Sequence, residues 1–330
     1  MTIEPLLSAL TNLREPDREA RAGVQARAAE ILRPAGALAR LDELAAWVAG
    51  WQRTSHPSVD RPVAVVFAAD HGVAADGVSA YPTEVTAAML TAFRQGVSSI
   101  NAMASVAHAK VLAVDCGVGR PTANLRHAPA LDARRFAEAV ELGREAVDEL
   151  DTDLLIVGEM GIGNTTAAAA IVACLLGGPC DEWVGAGTGV DAEGRARKVA
   201  AVADAQRRVG VLRHPLDALV EVGGAELVAL AAAVAEARRR SIPVVLDGYV
   251  ATAAVLPLAL AAPGALDHCV AGHVSPERGH RRLLERLTLT PLLDLDMRLG
   301  EASGAMAAVP LIAMACRLVT DVPTFGEWFG

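Results

Sequence analysis

The amino-acid sequence predicts an α/β fold built on a mostly parallel sheet, and three observations carry that expectation. Five short apolar runs are separated, for the most part, by stretches with helical periodicity. The runs are continuous rather than alternating, as in strands covered on both faces. Each also stops in an ionisable residue, so the sheet would gather those groups along one edge, where open α/β sheets bind ligands.

Taken in order, residues 1–50 read as helices over Ile3–Leu13, Ala22–Ile31 and Leu38–Trp51, with apolar residues at helical spacing. The first strand is expected at Val63–Phe67, running into Asp70-His71-Gly72. The second is Lys110–Val114, ending at Asp115, and the third Leu154–Val157, ending at Glu159. Val244–Leu246 runs into Asp247-Gly248, and His268–Ala271 into Gly272-His273. Helices between most of these strands call for parallel pairing with right-handed crossovers. A last helix is expected over Gly304–Leu318, stopping before Val322-Pro323.

With 330 residues, 52% of them hydrophobic, the chain can bury a large core, and at 3% aromatic content alanine, valine and leucine must fill it. A net charge of −9 argues against nucleic acid and anionic membrane surfaces as partners. The cluster Arg238-Arg239-Arg240 reads as a solvated helix end. The five cysteines are scattered, without a C-x-x-C pair, so neither a metal site nor a disulfide framework is expected. No secretory h-region is seen, and the longest membrane candidate, Val244–Leu266, is interrupted by Asp247, Gly248, Pro257 and Pro263. A reducing cytoplasm is the expected compartment.

The stretch Leu154 to Thr166 organises the chemistry. An apolar strand leads into Gly158, Gly161 and Gly163, then Asn164, Thr165 and Thr166 as candidate caps of an alanine-rich helix. Such a turn offers free backbone N–H groups and a positive dipole end to an anion, most often phosphate. The spacing is neither G-x-G-x-x-G nor a P-loop. A second glycine loop, Gly185-Ala186-Gly187, together with Lys198 can complete a phosphate site, the lysine acting as a point charge. Glu159 stands at the carboxyl end of its strand, and Glu301 between Gly300 and Gly304 is a candidate general base or merely a favourable residue at a helix start. Asp70, His71, Asp247 and His273, at the ends of the other strands, are further site candidates.

Several of these segments, in order, resemble one family. They are Ala69-Asp70-His71-Gly72-Val73, Gly77-Val78-Ser79-Ala80-Tyr81-Pro82 with Glu84-Val85-Thr86, Gly158 to Thr166, Leu246-Asp247-Gly248-Tyr249 and Arg298-Leu299-Gly300-Glu301. The chain is similar over these motifs to nicotinate-nucleotide–dimethylbenzimidazole phosphoribosyltransferases, which act in assembling the nucleotide loop of cobalamin. The resemblance implies a Rossmann-like, doubly wound large domain over residues 61–303. It also implies a small helical domain from residues 1–60 with about 304–330, and a homodimer.

The implied reaction moves the 5-phosphoribosyl group of nicotinate mononucleotide to a benzimidazole-type base, giving α-ribazole 5′-phosphate and nicotinate. By resemblance Glu301 is the base that takes the incoming ring's proton, and Glu159 serves the oxocarbenium-like ribose or its hydroxyls. Gly161, Gly163, Asn164, Thr165, Thr166, Gly185, Gly187 and Lys198 would hold the phosphate, and Tyr81, Met89 and Leu299 the planar base. The pyridine leaves as a neutral molecule, so no general acid is required, and pyrophosphate is not the leaving group, so neither metal nor cofactor is expected. Tyr81 and Met89 stand where some members carry more polar residues, which leaves the preferred base open. The alternatives are the same transfer to another lower-ligand base and a non-catalytic nucleotide-binding protein.

Overall fold

The computed structural model describes residues 3–330. In chain order α1 (Glu4–Ala9), α2 (Arg18–Glu30) and α3 (Ala39–Gln52) precede β1 (Pro62–Ala68). Next come α4 (Glu84–Gln95), α5 (Ser99–Val106), β2 (Lys110–Asp115), α6 (Ala133–Asp148) and β3 (Leu154–Met160). Five helices follow: α7 (Asn164–Leu176), α8 (Cys180–Trp183), α9 (Ala192–Val209), α10 (Asp217–Val222) and α11 (Ala225–Arg240). The chain closes with β4 (Val244–Leu246), α12 (Tyr249–Ala261), β5 (Cys269–Ala271), α13 (His280–Arg286), α14 (Ser303–Asp321) and α15 (Phe325–Phe329).

All five strands are parallel, in the order β2-β1-β3-β4-β5. This is a doubly wound order whose direction of growth reverses between β1 and β3, so the loops leaving those two strands diverge and open a crevice there. Both faces are covered. Val63, Val65 and Phe67 of β1, with Leu155 and Val157 of β3, point into a layer that includes α6, α7, α11 and α12. Ala64, Val66, Leu154 and Ile156 point the other way, onto Phe93, Ile100, Met306 and Val309. Two buried faces are why the strands read as continuous apolar runs.

Three differences from the sequence expectation stand out. The third strand does not end at Val157: Gly158, Glu159 and Met160 stay in register with Val66, Phe67 and Ala68 of β1. Glu159 is therefore held by the sheet itself. Helix α7 starts at Asn164, with Gly163 as its cap residue at φ +97°, and no side chain of Asn164, Thr165 or Thr166 caps it. A side chain at 163 would be strained in that left-handed conformation, so glycine is required there.

The third difference is Arg238, expected in solvent but only 1% exposed. Its guanidinium lies 4.3 Å from the centre of the Trp51 ring, with Glu15 and Asp267 each 3.9 Å away. Packing of the aliphatic stem carries most of its contribution, because none of its side-chain nitrogens has a hydrogen-bond partner among the described residues. Arg238→Ala is expected to lower unfolding free energy by about 1–3 kcal/mol in urea, and Arg238→Met by much less. Equal losses in the two variants would mean that the charge, not the packing, matters.

Val24, Leu44, Ala45, Ala49, Ala315 and Val319 form a separate cluster between α2, α3 and α14, whereas Ile3, Leu6 and Leu10, in and beside α1, pack in the opposite layer. Helix α14 is long and apolar enough to cross a bilayer, but Met306, Val309, Ile312 and Cys316 pack it against the sheet.

Candidate active site

A cavity of about 530 Å³ opens at the carboxyl edge of the sheet, at the crevice between the loops after β1 and β3. Its walls come from residues 78–89, the end of β3 and start of α7, residues 186–190 with Lys198, the start of α12, the loop after β5, and residues 297–301. Glu159, Gly161, Gly163, Asn164, Thr165, Gly187, Lys198, Tyr81, Met89, Leu299, His273 and Glu301 all line it. Candidates scattered over roughly two-thirds of the chain thus converge on one pocket.

The remaining candidates do not line it. Asp70 accepts the Gly119 N–H at 2.7 Å and shapes the loop after β1. His71 is buried below the glycine turn, its Nε2 2.6 Å from Glu226 Oε1. Asp247 is fully buried and accepts the Ala305 N–H at 2.9 Å, holding the first turn of α14. Thr166 is buried in α7, its hydroxyl without a partner among the described residues, and Gly185 contributes its carbonyl rather than an N–H. The first three corrections share a cause. A strand-end carboxylate or imidazole can face the crevice or brace the loops around it, and both arrangements leave the same trace in sequence.

The side of the cavity that carries the glycine turn is assembled from three elements. Lys198 projects from α9 and is 1% exposed. Its Nζ donates to Thr165 Oγ1 at 2.9 Å and to the Gly185 carbonyl at 3.3 Å. Burial pulls the ammonium's pKa down, opposed by the nearby Glu277 carboxylate. On the facing side the Ile162 N–H donates to Thr86 Oγ1 at 3.2 Å, fixing the glycine turn to α4. Lys198 is therefore aimed at the first turn of α7, where the helix dipole adds to its field.

The carboxylate side is held by backbone. Gly300, Glu301 and Ala302 adopt φ of +79°, +61° and +63°, three successive left-handed residues. For the two non-glycine residues this costs on the order of 1–2 kcal/mol each. The turn is maintained by the Glu301 N–H donating to the Glu159 carbonyl at 3.2 Å and by Asp247 on the helix start. Gly158 matters here: a Cβ would lie 2.6 Å from Ala302 Cα, so only glycine lets β3 come this close.

The two glutamates differ in their surroundings. Glu301 is 5% exposed and its Oε2 has no partner among the described residues; burial, helped by the charge of Asp247, pushes its pKa up to about 7. Glu159, buried and bonded by the Asn164 amide, is pushed well above the carboxylate range by burial, then by Asp247 and Glu226. A carboxyl group that titrates near neutrality and lines a cavity is suited to proton transfer.

Sequence reasoning missed Glu226, which looks like an ordinary acidic residue at a helix start, and Glu277, which looks like a solvated loop residue in Ser275-Pro276-Glu277-Arg278. Tyr249 and Ser275 also line the cavity.

The geometry has counterparts. A family model described as phosphoribosyltransferase matches residues 13–328. The nicotinate-nucleotide–dimethylbenzimidazole phosphoribosyltransferase of Mesorhizobium japonicum is 45% identical over 99% of this chain and 97% of its own length. The enzyme of the same name from Methylocella silvestris is 47% identical over 93% of this chain and 90% of its own. Among solved structures, CobT from Thermus thermophilus superposes with a TM-score of 0.90 at 44% identity, covering 94% of this chain and 98% of that one. Taken with the cavity built around the glycine turn, this near full-length similarity means that the chain belongs to the nicotinate-nucleotide–dimethylbenzimidazole phosphoribosyltransferase family.

Proposed function

We propose that the protein transfers the 5-phosphoribosyl group of nicotinate mononucleotide to 5,6-dimethylbenzimidazole, releasing nicotinate and forming α-ribazole 5′-phosphate for the nucleotide loop of cobalamin. The observation that carries this reading is one pocket lined both by the glycine turn with Lys198 and by the buried carboxyl of Glu301.

The 5′-phosphate sits on the first turn of α7, against Thr165, Gly187 and Lys198. Nicotinate is a neutral-ring leaving group once the C–N bond breaks, so the protein need not protonate it. The benzimidazole nitrogen that attacks the anomeric carbon makes the ring's other N–H acidic, and Glu301 accepts that proton. Glu159, which burial favours as the neutral acid, is better suited to hydrogen-bond a ribose hydroxyl than to act as a standing negative charge. Tyr81, Met89 and Leu299 supply the flat apolar walls for the base.

Incubation with nicotinate mononucleotide and a panel of benzimidazoles and purines, followed by product identification, tests the reading. Nicotinate release without a new N-glycoside would refute it. Lys198→Ala is expected to raise KM for the mononucleotide by about tenfold or more, as loss of a charge-assisted phosphate contact predicts. An unchanged KM would remove Lys198 from the phosphate site.

A homodimer is part of the proposal, because edge strand β2 leaves its outer backbone unpaired and Leu112 at 39% exposure, an edge that a second copy would cover. Light scattering that gives a monomer mass would contradict it. A cytoplasmic location fits five free cysteines. The division into residues 61–303 and a smaller unit of 1–60 with about 304–330 is supported by the α2–α3–α14 cluster.

A further inference from the structure

Glu277 has no part in the transfer as derived above, yet its carboxylate sits on the second glycine loop. Its Oε1 accepts the Gly187 N–H at 2.6 Å. A Cβ on Gly185 would lie 2.6 Å from Glu277 Cδ, so the carboxylate is pressed onto the backbone of that loop. A Cβ on Gly187 would likewise lie 3.2 Å from Lys198 Nζ, so lysine and carboxylate share one cradle. Glu277 enters from the opposite wall: it belongs to the loop after β5, just before α13, and lines the cavity.

The Gly187 N–H and the Lys198 ammonium both face the second glycine loop, and a carboxylate of the chain itself takes that N–H while its charge acts on Lys198 through space, without a direct ion pair. We infer that Glu277 is a resident stand-in for the substrate's phosphate, which the incoming phosphate must displace from the Gly185–Gly187 cradle. This rests on the phosphate site proposed above. The carboxylate stabilises Lys198 while no phosphate is bound, and it sets a threshold that only a ligand of greater charge passes. A mononucleotide bears up to two negative charges at its phosphate and can replace it; the corresponding nucleoside has nothing to offer the cradle. Glu277 therefore lowers the affinity of the cradle for every anion by the cost of its own displacement, so that only an anion held strongly there occupies it.

Equilibrium binding by calorimetry tests this with Glu277→Gln, which keeps the side-chain shape and a hydrogen-bond acceptor but removes the charge. The Kd values for nicotinate mononucleotide and for inorganic phosphate are expected to fall together, by about tenfold, since a neutral acceptor is weaker than a charged one. Kd for the nucleoside lacking phosphate should stay unchanged, which a general loosening of the loop would not produce. Unchanged or weaker binding of both phosphate ligands, or an equal gain for the nucleoside, would overturn the inference. Lys198→Ala in the same titrations separates the two levels. If it weakens phosphate binding while Glu277→Gln does not strengthen it, the displacement idea alone fails; if it changes nothing, the phosphate site is elsewhere and both fail.

Discussion

Glu301→Gln is expected to lower turnover by about 10²–10⁴-fold while leaving the affinity for nicotinate mononucleotide nearly intact. The amide has the shape of the carboxyl but cannot accept a proton. Because burial holds the Glu301 pKa near 7, activity of the wild-type protein should rise with pH through about 7 and then level. The residual activity of the variant should not show that step. Stability should move in the opposite sense. A carboxyl whose pKa rises on folding from 4.5 to about 7 binds its proton more tightly in the native state, so its contribution is full below 4.5 and is lost as pH rises through 7. At pH 8 the wild-type protein carries a buried, partly unpaired carboxylate, and the variant does not. Urea unfolding should then show the variant more stable by on the order of 1–3 kcal/mol at pH 8 and equal to wild type near pH 4.5. Undiminished turnover would remove Glu301 from the chemistry, and equal stability at both pH values would remove it from the buried site.

The fold was legible because the sheet is covered on both sides. Val63–Phe67 and Leu154–Val157 have no other way to satisfy so many consecutive apolar side chains, and the same holds for the short β4 and β5. Boundaries were less legible where a residue's role depends on a distant partner. Glu159 reads as the residue at which its strand stops, and only the pairing of its backbone with Phe67 shows that it is inside the strand. Arg238 reads as a solvated helix end, since nothing near it in sequence announces Trp51. Asn164 reads as a helix cap but spends its amide on Glu159. In the site, the residues that face the cavity could be named because glycines and carboxylates cluster locally. His71, Asp70 and Asp247 could not be sorted from them. Whether such a group points inward or braces a loop is decided by Glu226, Gly119 and Ala305, which lie 155, 49 and 58 residues away.

Gly158→Ala is expected to cost both activity and stability, because one close approach sets the position of both glutamates. The added methyl would meet the backbone nitrogen and Cα of Ala302, not a flexible side chain, so β3 and the left-handed turn must part. Glu159 follows position 158 directly and Glu301 precedes Ala302 directly, and the Glu301 N–H to Glu159 carbonyl bond spans the gap. Displacement by about 1 Å at reacting groups can cost on the order of 100-fold in rate, and overpacking of a buried contact about 1–3 kcal/mol. The strained turn can relax to an ordinary right-handed conformation only if Asp247 releases the Ala305 N–H, which would unwind the start of α14. Gly23 provides the control. It lies in α2, where a Cβ would meet no atom of the described residues within 4 Å, so Gly23→Ala should be neutral or stabilising by about 0.5–1 kcal/mol. A Gly158→Ala protein with wild-type kcat/KM and the same urea midpoint would show that the contact between β3 and the turn does not govern the geometry of the carboxylates.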